Sequence, residues 1–268
     1  MILRHGDHGY RVTSLQQDLA RAGHAIEVDG WFGDQTEVAV RAEQRRHGLV
    51  VDGLAGPKTR AALQGRPLPK TLKQVDLEQA ADRLDVDLAA VMAVNEVESR
   101  GRGFFAVDRP AILYERHIMR RRLRLHGIPP EPIARLQPDL VNRRPGGYVG
   151  GIAEWQRLDR ARDLDDASAL ESCSWGLFQI MGYHWHRLGY ASIHAFVANM
   201  QESESSQLEA FVRFIEADPT LHDALRGRHW TVFAERYNGP AYAKHDYDSR
   251  LAAAARRHAL ALQEELAA

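Results

Sequence analysis

The stretch Ala93–Phe104, AVNEVESRGRGF, sets two carboxylates, Glu96 and Glu98, just ahead of a glycine-containing turn. At about 100° per residue on one helix they point to opposite sides, so they cannot work as a pair with each other. Glu98 shares its stripe with Val91 and Val94 and falls in the last turn of the helical run. There the negative end of the helix dipole disfavours an ionised carboxylate, and desolvation by the valines acts the same way. A carboxylic acid that keeps its proton near neutrality suits protonation of a leaving oxygen. Glu98 is therefore the candidate general acid.

Cleaving a glycosidic bond ordinarily takes two carboxyl groups, so a partner for Glu98 is expected. Glu115 ranks first: it follows the apolar Ala111-Ile112-Leu113 and is flanked by Tyr114, Arg116 and His117. Glu171 in LESCSW ranks second, and Asp139 in QPDL is a further candidate. A saccharide groove also needs amides and hydroxyls for ring substituents and aromatic faces for the apolar side of a sugar. Ser174, Trp175, Gln179, Tyr237 and Asn238 are of the types that supply that mix, with core packing the alternative for Trp175 and structural hydrogen bonding the alternative for Gln179 and Asn238; Phe178 is expected in the core. Cys173 beside a histidine such as His184 is the alternative, a cysteine amidase or peptidase, but nothing around ESCSW activates a thiolate. The 13 histidines include His5-x-x-His8 and His184-x-His186, and neither extends to a metal-ligand set. No metal and no organic cofactor is expected.

The elements that must position these groups are mostly helical. Helical periodicity covers the run that leads into Glu98, with Asp85 or Asp87 as its cap, and then 111–126, 163–173, 192–216, 219–236 and 247–267. Between them lie a glycine-rich loop, RRPGGYVGGIAEW, and SWGLFQIMG, the best strand candidate. No alternation of strand and helix announces a parallel sheet. With Lys+Arg 35 against Asp+Glu 36 the formal charge is −1, which argues against a nucleic-acid partner or a general attraction to anionic membranes. The basic run HIMRRRLRLHG reads as a solvated helix face, or else as a contact for anionic wall or outer-membrane phosphates. The start lacks an apolar signal segment and no stretch suits a membrane span, so a chain made in the cytoplasm, without stable membrane insertion, is expected.

The first third repeats itself. VDGWFGDQTEVAV from Val28 and VDGLAGPKTRAAL from Val51 share the frame V-D-G-x-x-G-x-x-T-x-x-A. Asp29-Gly30 and Asp52-Gly53 are tight-turn dipeptides, and Asp34 and Pro57 suit the first positions of the helices that follow. With GDHGYRVTSLQQDLARAGH upstream, residues 1–66 form a small three-helix domain. Residues 67–74, rich in proline and lysine, are the linker, and 75–268 form the second domain.

The opening G-x-x-G-x-x-V-x-x-L-Q (Gly6 to Gln16) and the D-G-x-x-G-x-x-T-x-x-A frame resemble the peptidoglycan-binding domain found at the ends of many cell-wall hydrolases. That resemblance implies a wall-binding module with Asp29, Trp31, Phe32 and Asp52 at its binding turns, and an exposed Trp31-Phe32 pair to stack on a sugar or peptide face. The larger domain resembles the lysozyme superfamily in Glu98-Ser99-Arg100-Gly101, Ser174 to Ile180 and Tyr237-Asn238-Gly239. More closely, EVESRGRGF, AILYERHI, PGGYVGG, ESCSWGLFQIMGY and YNGPAYAKHDYDSRL, in order, resemble the N-acetylmuramidase domain of phage endolysins from Gram-negative hosts. The resemblance implies an α+β lysozyme-like domain with Glu98 as proton donor, Ser174–Ile180 as a wall of the cleft, and Tyr237 and Asn238 along the groove. It implies a monomer acting on peptidoglycan glycan strands at the β-1,4 bond between N-acetylmuramic acid and N-acetylglucosamine, in the periplasm after holin-type release. The alternatives are a lytic transglycosylase with the same acid and an anhydro-muramoyl product, or a wall-binding protein without catalysis. Where a second carboxylate is missing, the related transglycosylases use the substrate's own acetamide or hydroxyl. The chain departs from the goose-type pattern in placing about seventy-five residues between Glu98 and Ser174.

Overall fold

A computed structural model describes residues 2–98, 102–105, 108–239 and 246–267, the side chain of Leu266 apart; Ser99, Arg100 and Gly101 of the E-S-x-G motif lie outside the described residues. The N-terminal module holds α1 (Tyr10–Arg21), α2 (Asp34–Arg46) and α3 (Pro57–Leu63). Its own apolar core comprises Val12, Leu15, Leu19, Phe32, Val40 and Ala55. Each copy of the repeat builds the same hydrogen-bond net. Gln16 Nε2 donates to Asp29 Oδ1 (2.8 Å), to the Trp31 carbonyl (3.0 Å) and to Thr36 Oγ1 (3.1 Å). Gln44 Nε2 does likewise to Asp52 Oδ1 (2.6 Å), the Leu54 carbonyl (3.1 Å) and Thr59 Oγ1 (3.3 Å). In both, the Asp-Gly turn closes on its own aspartate and the glutamine carries it onto the preceding helix.

The second module follows in order: α4 (Gln74–Leu84), α5 (Leu88–Glu98), β1 (Ile112–Tyr114), α6 (Arg116–Leu125), α7 (Pro130–Leu136), α8 (Ala153–Arg162), α9 (Asp166–Glu171), β2 (Cys173–Trp175), β3 (Ile180–Met181), α10 (Ile193–Glu202), α11 (Glu204–Glu216), α12 (Pro219–Arg226), α13 (Trp230–Asn238) and α14 (Tyr247–Ala267). The protein is thus mostly helical, with one small antiparallel sheet ordered β1-β2-β3. Helix α5 is apolar nearly all round because it runs through the centre, packed along α14 and α4, as a helix without a polar face must be. Asp87 starts it: its carboxylate accepts from Ala89 N (3.0 Å). Asp85 instead closes α4 in a left-handed conformation.

Three expectations need correction. Residues 112–114, expected as helix, form β1, because they pair with Cys173–Trp175 across sixty residues of sequence that helical periodicity cannot see. SWGLFQIMG is a hairpin of two short strands rather than one strand. The residues expected as a linker are bound down: Leu72 is buried in the larger core, and the Lys70 carbonyl accepts from Glu204 N (2.9 Å).

Candidate active site

A cleft of about 750 Å³ opens where the C-terminal end of α5, the β-hairpin, the glycine-rich loop and the end of α13 meet. Glu98 closes α5 on one side. Asn238, last residue of α13, donates from Nδ2 to Glu98 Oε1 at 3.0 Å and so orients the carboxyl group. Glu96, one turn-face away, is held by Arg257 and His258 of α14, outside the cleft lining. Helical geometry had separated the two glutamates, and their partners confirm the separation.

Tyr237 stacks on Phe233 (5.6 Å, 10°) and meets Phe211 and Phe214 edge-on. Its hydroxyl donates to the Phe178 carbonyl at 2.8 Å, which ties α13 to the hairpin. Burial, with the Glu98 charge nearby, pushes this phenol well above the ordinary tyrosine value, so it stays a donor and never serves as a base. On the hairpin, Ser174 Oγ donates to Gln179 Oε1 (2.7 Å), and Gln179 Nε2 donates to the Gly176 carbonyl (2.8 Å). Gly176 has φ +72°, and a Cβ there would lie 2.5 Å from Gln207 Cδ, so only glycine fits. Gln207 of α11 braces this turn by accepting from Leu177 N (2.7 Å) and donating to the Gly103 carbonyl (3.2 Å).

Trp175 is not in the cleft. It is 1% exposed, and its indole donates to the Leu170 carbonyl (3.1 Å) and meets Trp155 edge-on. Strand alternation sends it to the opposite face from Ser174. The aromatic walls include instead Phe105, Tyr183, Phe214, Tyr237 and Tyr247. His184 also lines the cleft; burial, then Arg187, lowers its pKa to about 4, so its imidazole is neutral.

The cleft brings Glu115 to Glu98, and among the described residues these are its two carboxylates. Glu115 stands at the N-cap position of α6 without a side-chain capping bond; the Tyr148 hydroxyl donates to its carboxylate, 2.8 and 3.0 Å from the two oxygens, and His117 Nδ1 lies 3.1 Å from Oε2. Burial, then the hydrogen bond to Glu115 and its charge, pushes the Tyr148 phenol up to about 12. The loop that carries Tyr148 is pinned from below by Glu154, fully buried, which accepts from Val149 N and Gly150 N. Glu171 and Asp139 play structural parts: Glu171 is buried against Arg122, His126 and the Trp185 indole, and Asp139 pairs with Arg160.

Cys173 is fully buried, and burial raises its thiol well above the ordinary value, so no thiolate nucleophile exists there. Cys173→Ala is expected to keep its rate of wall cleavage, per folded molecule, within about twofold of the parent. A turbidity assay on purified walls normalised to folded protein checks this, and a large loss would revive the thiol. No cluster of metal-binding side chains occurs among the described residues.

In the N-terminal module Trp31 is 51% exposed and stacks on His8 (5.7 Å, 15°), whereas Phe32 is fully buried. The expected aromatic pair is therefore one exposed ring and one core ring, since neighbouring residues at this turn face opposite ways. The two aspartates differ as well. Asp29 lies at the surface, its pKa lowered by the Gln16 hydrogen bond. Asp52 faces the catalytic module beside Asn95 and Glu96, and burial raises its pKa. Asp52 therefore belongs to the junction between the modules, not to a free binding surface.

Comparison with known proteins agrees with this architecture. Residues 87–259 match the N-acetylmuramidase family, and the chain belongs to it. Residues 8–63 match the putative peptidoglycan binding domain. The crystal structure of the Burkholderia AP3 phage endolysin is similar, with 52% identity, 97% of this chain and 99% of that chain covered, and a TM-score of 0.92. The curated relatives match over less than a quarter of this chain. They include the N-acetylmuramoyl-L-alanine amidase CwlL of Bacillus licheniformis, 40% identical over 23% of this chain and 18% of its own. The zinc D-Ala-D-Ala carboxypeptidase of Streptomyces albus G is 40% identical over 21% and 24%. The chain thus spans less than a quarter of those relatives' length.

Proposed function

We propose that this protein is a peptidoglycan hydrolase that cleaves the β-1,4 bond between N-acetylmuramic acid and N-acetylglucosamine, with Glu98 as general acid. The observation that carries this reading is the meeting of Glu98 and Glu115 in one cleft furnished with Ser174, Gln179, Asn238 and tyrosine rings. Glu98 protonates the glycosidic oxygen while Asn238 holds it in place. Glu115 takes the part of the second carboxylate, acting on water or on the oxocarbenium-like centre. Residues 1–66 and 75–268 are the two working units, and Trp31 with Asp29 marks the wall-binding face of the first. The site of action is the wall, reached from the host cytoplasm by a holin-type lesion, in keeping with the likeness to a phage endolysin.

A lytic transglycosylase is the second reading, and one observation favours it: the Tyr148 hydroxyl donates its single proton to the Glu115 carboxylate, which weakens that group as a base and leaves more of the reaction to the substrate itself. Mass spectrometry of fragments released from purified peptidoglycan separates the two. Reducing muramic-acid ends are expected, and Glu115→Gln should lower their yield about a hundredfold or more. Fragments one water lighter, undiminished by Glu115→Gln, would establish the transglycosylase. Uncut strands would end both readings.

A further inference from the structure

Residues 116–144 hold eight arginines against two acids, Glu131 and Asp139, within a chain of net charge −1. The cleavage reaction uses none of them. Arg120 and Arg124 share Glu131, and Arg122 pairs with Glu171. Arg116 spends its guanidinium on the Arg144 and Pro145 carbonyls (3.0 Å each), which leaves its charge uncompensated. Arg135, Arg143 and Arg144 are exposed, and no ion pair of theirs occurs among the described residues. Arg120, Arg135, Arg143 and Arg144 line a groove of about 570 Å³ whose one carboxylate is Glu131.

This groove and the cleft share a wall. The loop that starts with Arg143 and Arg144 continues to Gly150 and Gly151, which line the cleft. Arg116, which ties that loop down, follows directly on Glu115, and Arg121 lies over the ring of Tyr183 at the cleft (5.8 Å). The cleft itself presents two carboxylates and, among the described residues, one permanent cation, Arg102, with a neutral His184. It suits an uncharged sugar chain and repels anions. Peptidoglycan, however, is not neutral: each muramic acid carries a peptide stem with free carboxylates.

Resting on the hydrolase reading above, we propose that the arginine groove is a binding site for the stem-peptide carboxylates of the strand whose glycan lies in the cleft. Guanidinium groups in a shared groove match carboxylates by paired hydrogen bonds, and their placement on the loop that walls the cleft sets glycan and stem side by side. The protein therefore prefers peptide-bearing glycan to naked strands.

The test compares the parent with Arg143→Gln/Arg144→Gln, two exposed side chains whose loss should leave the melting temperature unchanged. The substrates are soluble peptide-bearing glycan and the same strands stripped of stems. On peptide-bearing glycan the double variant should show a KM raised about fivefold with kcat nearly unchanged, a gap that rising salt erodes. On stripped strands parent and variant should coincide. Arg143→Lys/Arg144→Lys, keeping the charge, should recover part of the loss. Titration of free stem tetrapeptide gives a readout independent of cleavage, with weaker binding by the glutamine variant expected. Equal KM on peptide-bearing glycan, together with equal tetrapeptide binding, would overturn the proposal. So would an equal KM loss on both substrates, which places the arginines with the glycan. Loss only of binding to phosphatidylglycerol vesicles would reassign the groove to lipid phosphates. Failure of the parent to cut either substrate would instead count against the hydrolase reading, while tetrapeptide titration still decides the groove.

Discussion

Glu98→Gln is expected to cleave purified peptidoglycan about a thousandfold more slowly than the parent, with KM nearly unchanged, since general acid catalysis contributes ~10²–10⁴ to such rates. Glutamine keeps the shape of the side chain and an oxygen able to accept from Asn238, so the cleft stays assembled. It removes only the transferable proton, without which the leaving sugar departs as an alkoxide. The matched control is Glu96→Gln, on the other side of the same helix. Glu96 is half of a pair with Arg257 and His258, so its loss should lower stability but not the rate per folded molecule. Burial pushes the Glu96 carboxyl up, yet His258 and Arg257 outweigh this and hold it below the ordinary value of 4.5. A depressed carboxyl pKa contributes stability above that ordinary value and loses it as pH falls through the lower folded one. The stability gap between parent and Glu96→Gln should therefore be full at neutral pH and close in acid below about 4.5. Equal rates for Glu98→Gln and the parent would remove Glu98 from the mechanism, whatever Glu96→Gln does.

What was legible in the sequence is what local geometry decides. The repeat is local, since one glutamine within twenty residues joins each Asp-Gly turn to its threonine. The opposition of Glu96 and Glu98 follows from helical pitch alone, and α14 spans the expected 247–267. What was not legible depends on partners far along the chain. Nothing near Ile112–Tyr114 announces that its hydrogen-bond partner is Cys173–Trp175. Trp175 looked like a sugar platform because tryptophan often is one; the strand's pleat turned it inward. Phe32 is buried for a different reason, its direction set by a turn and not by a periodic element. Tyr148, the partner of Glu115, sits in a loop whose glycines show a bend but not its aim. A second copy of a turn looked like a second wall-binding site, yet Asp52 faces the catalytic module, and only the packing of the two modules could show that.

Glu204→Ala should lower stability by about 3–5 kcal/mol, or roughly 10 °C in melting temperature, although the residue lies outside the cleft lining. Its carboxylate is buried, and three segments converge on it. Oε2 accepts from Lys58 Nζ of the wall-binding module (2.6 Å) and from Leu72 N of the connecting segment (2.8 Å). Oε1 accepts from Gly103 N, just past the end of the catalytic helix (2.9 Å). Gly103 is packed so closely that a Cβ would lie 2.3 Å from Gln207 Oε1 and 2.6 Å from Glu204 Cγ. Alanine at 204 would strand two buried N–H groups, each costing ~1–3 kcal/mol, and an ammonium besides. Lys58→Met separates these contributions: it leaves the buried carboxylate its two amides but no counter-charge, and should cost about 1–3 kcal/mol, less than Glu204→Ala. The same anchor sets the loop bearing Arg102 and Phe105, which line the cleft, so kcat of folded Glu204→Ala should fall as well. Thermal unfolding followed by circular dichroism, with rates taken well below the transition, measures both effects. A melting temperature within a degree or so of the parent would show that the junction does not rest on this carboxylate. A large drop in Lys58→Met as well would shift the weight from the buried amides to the ion pair.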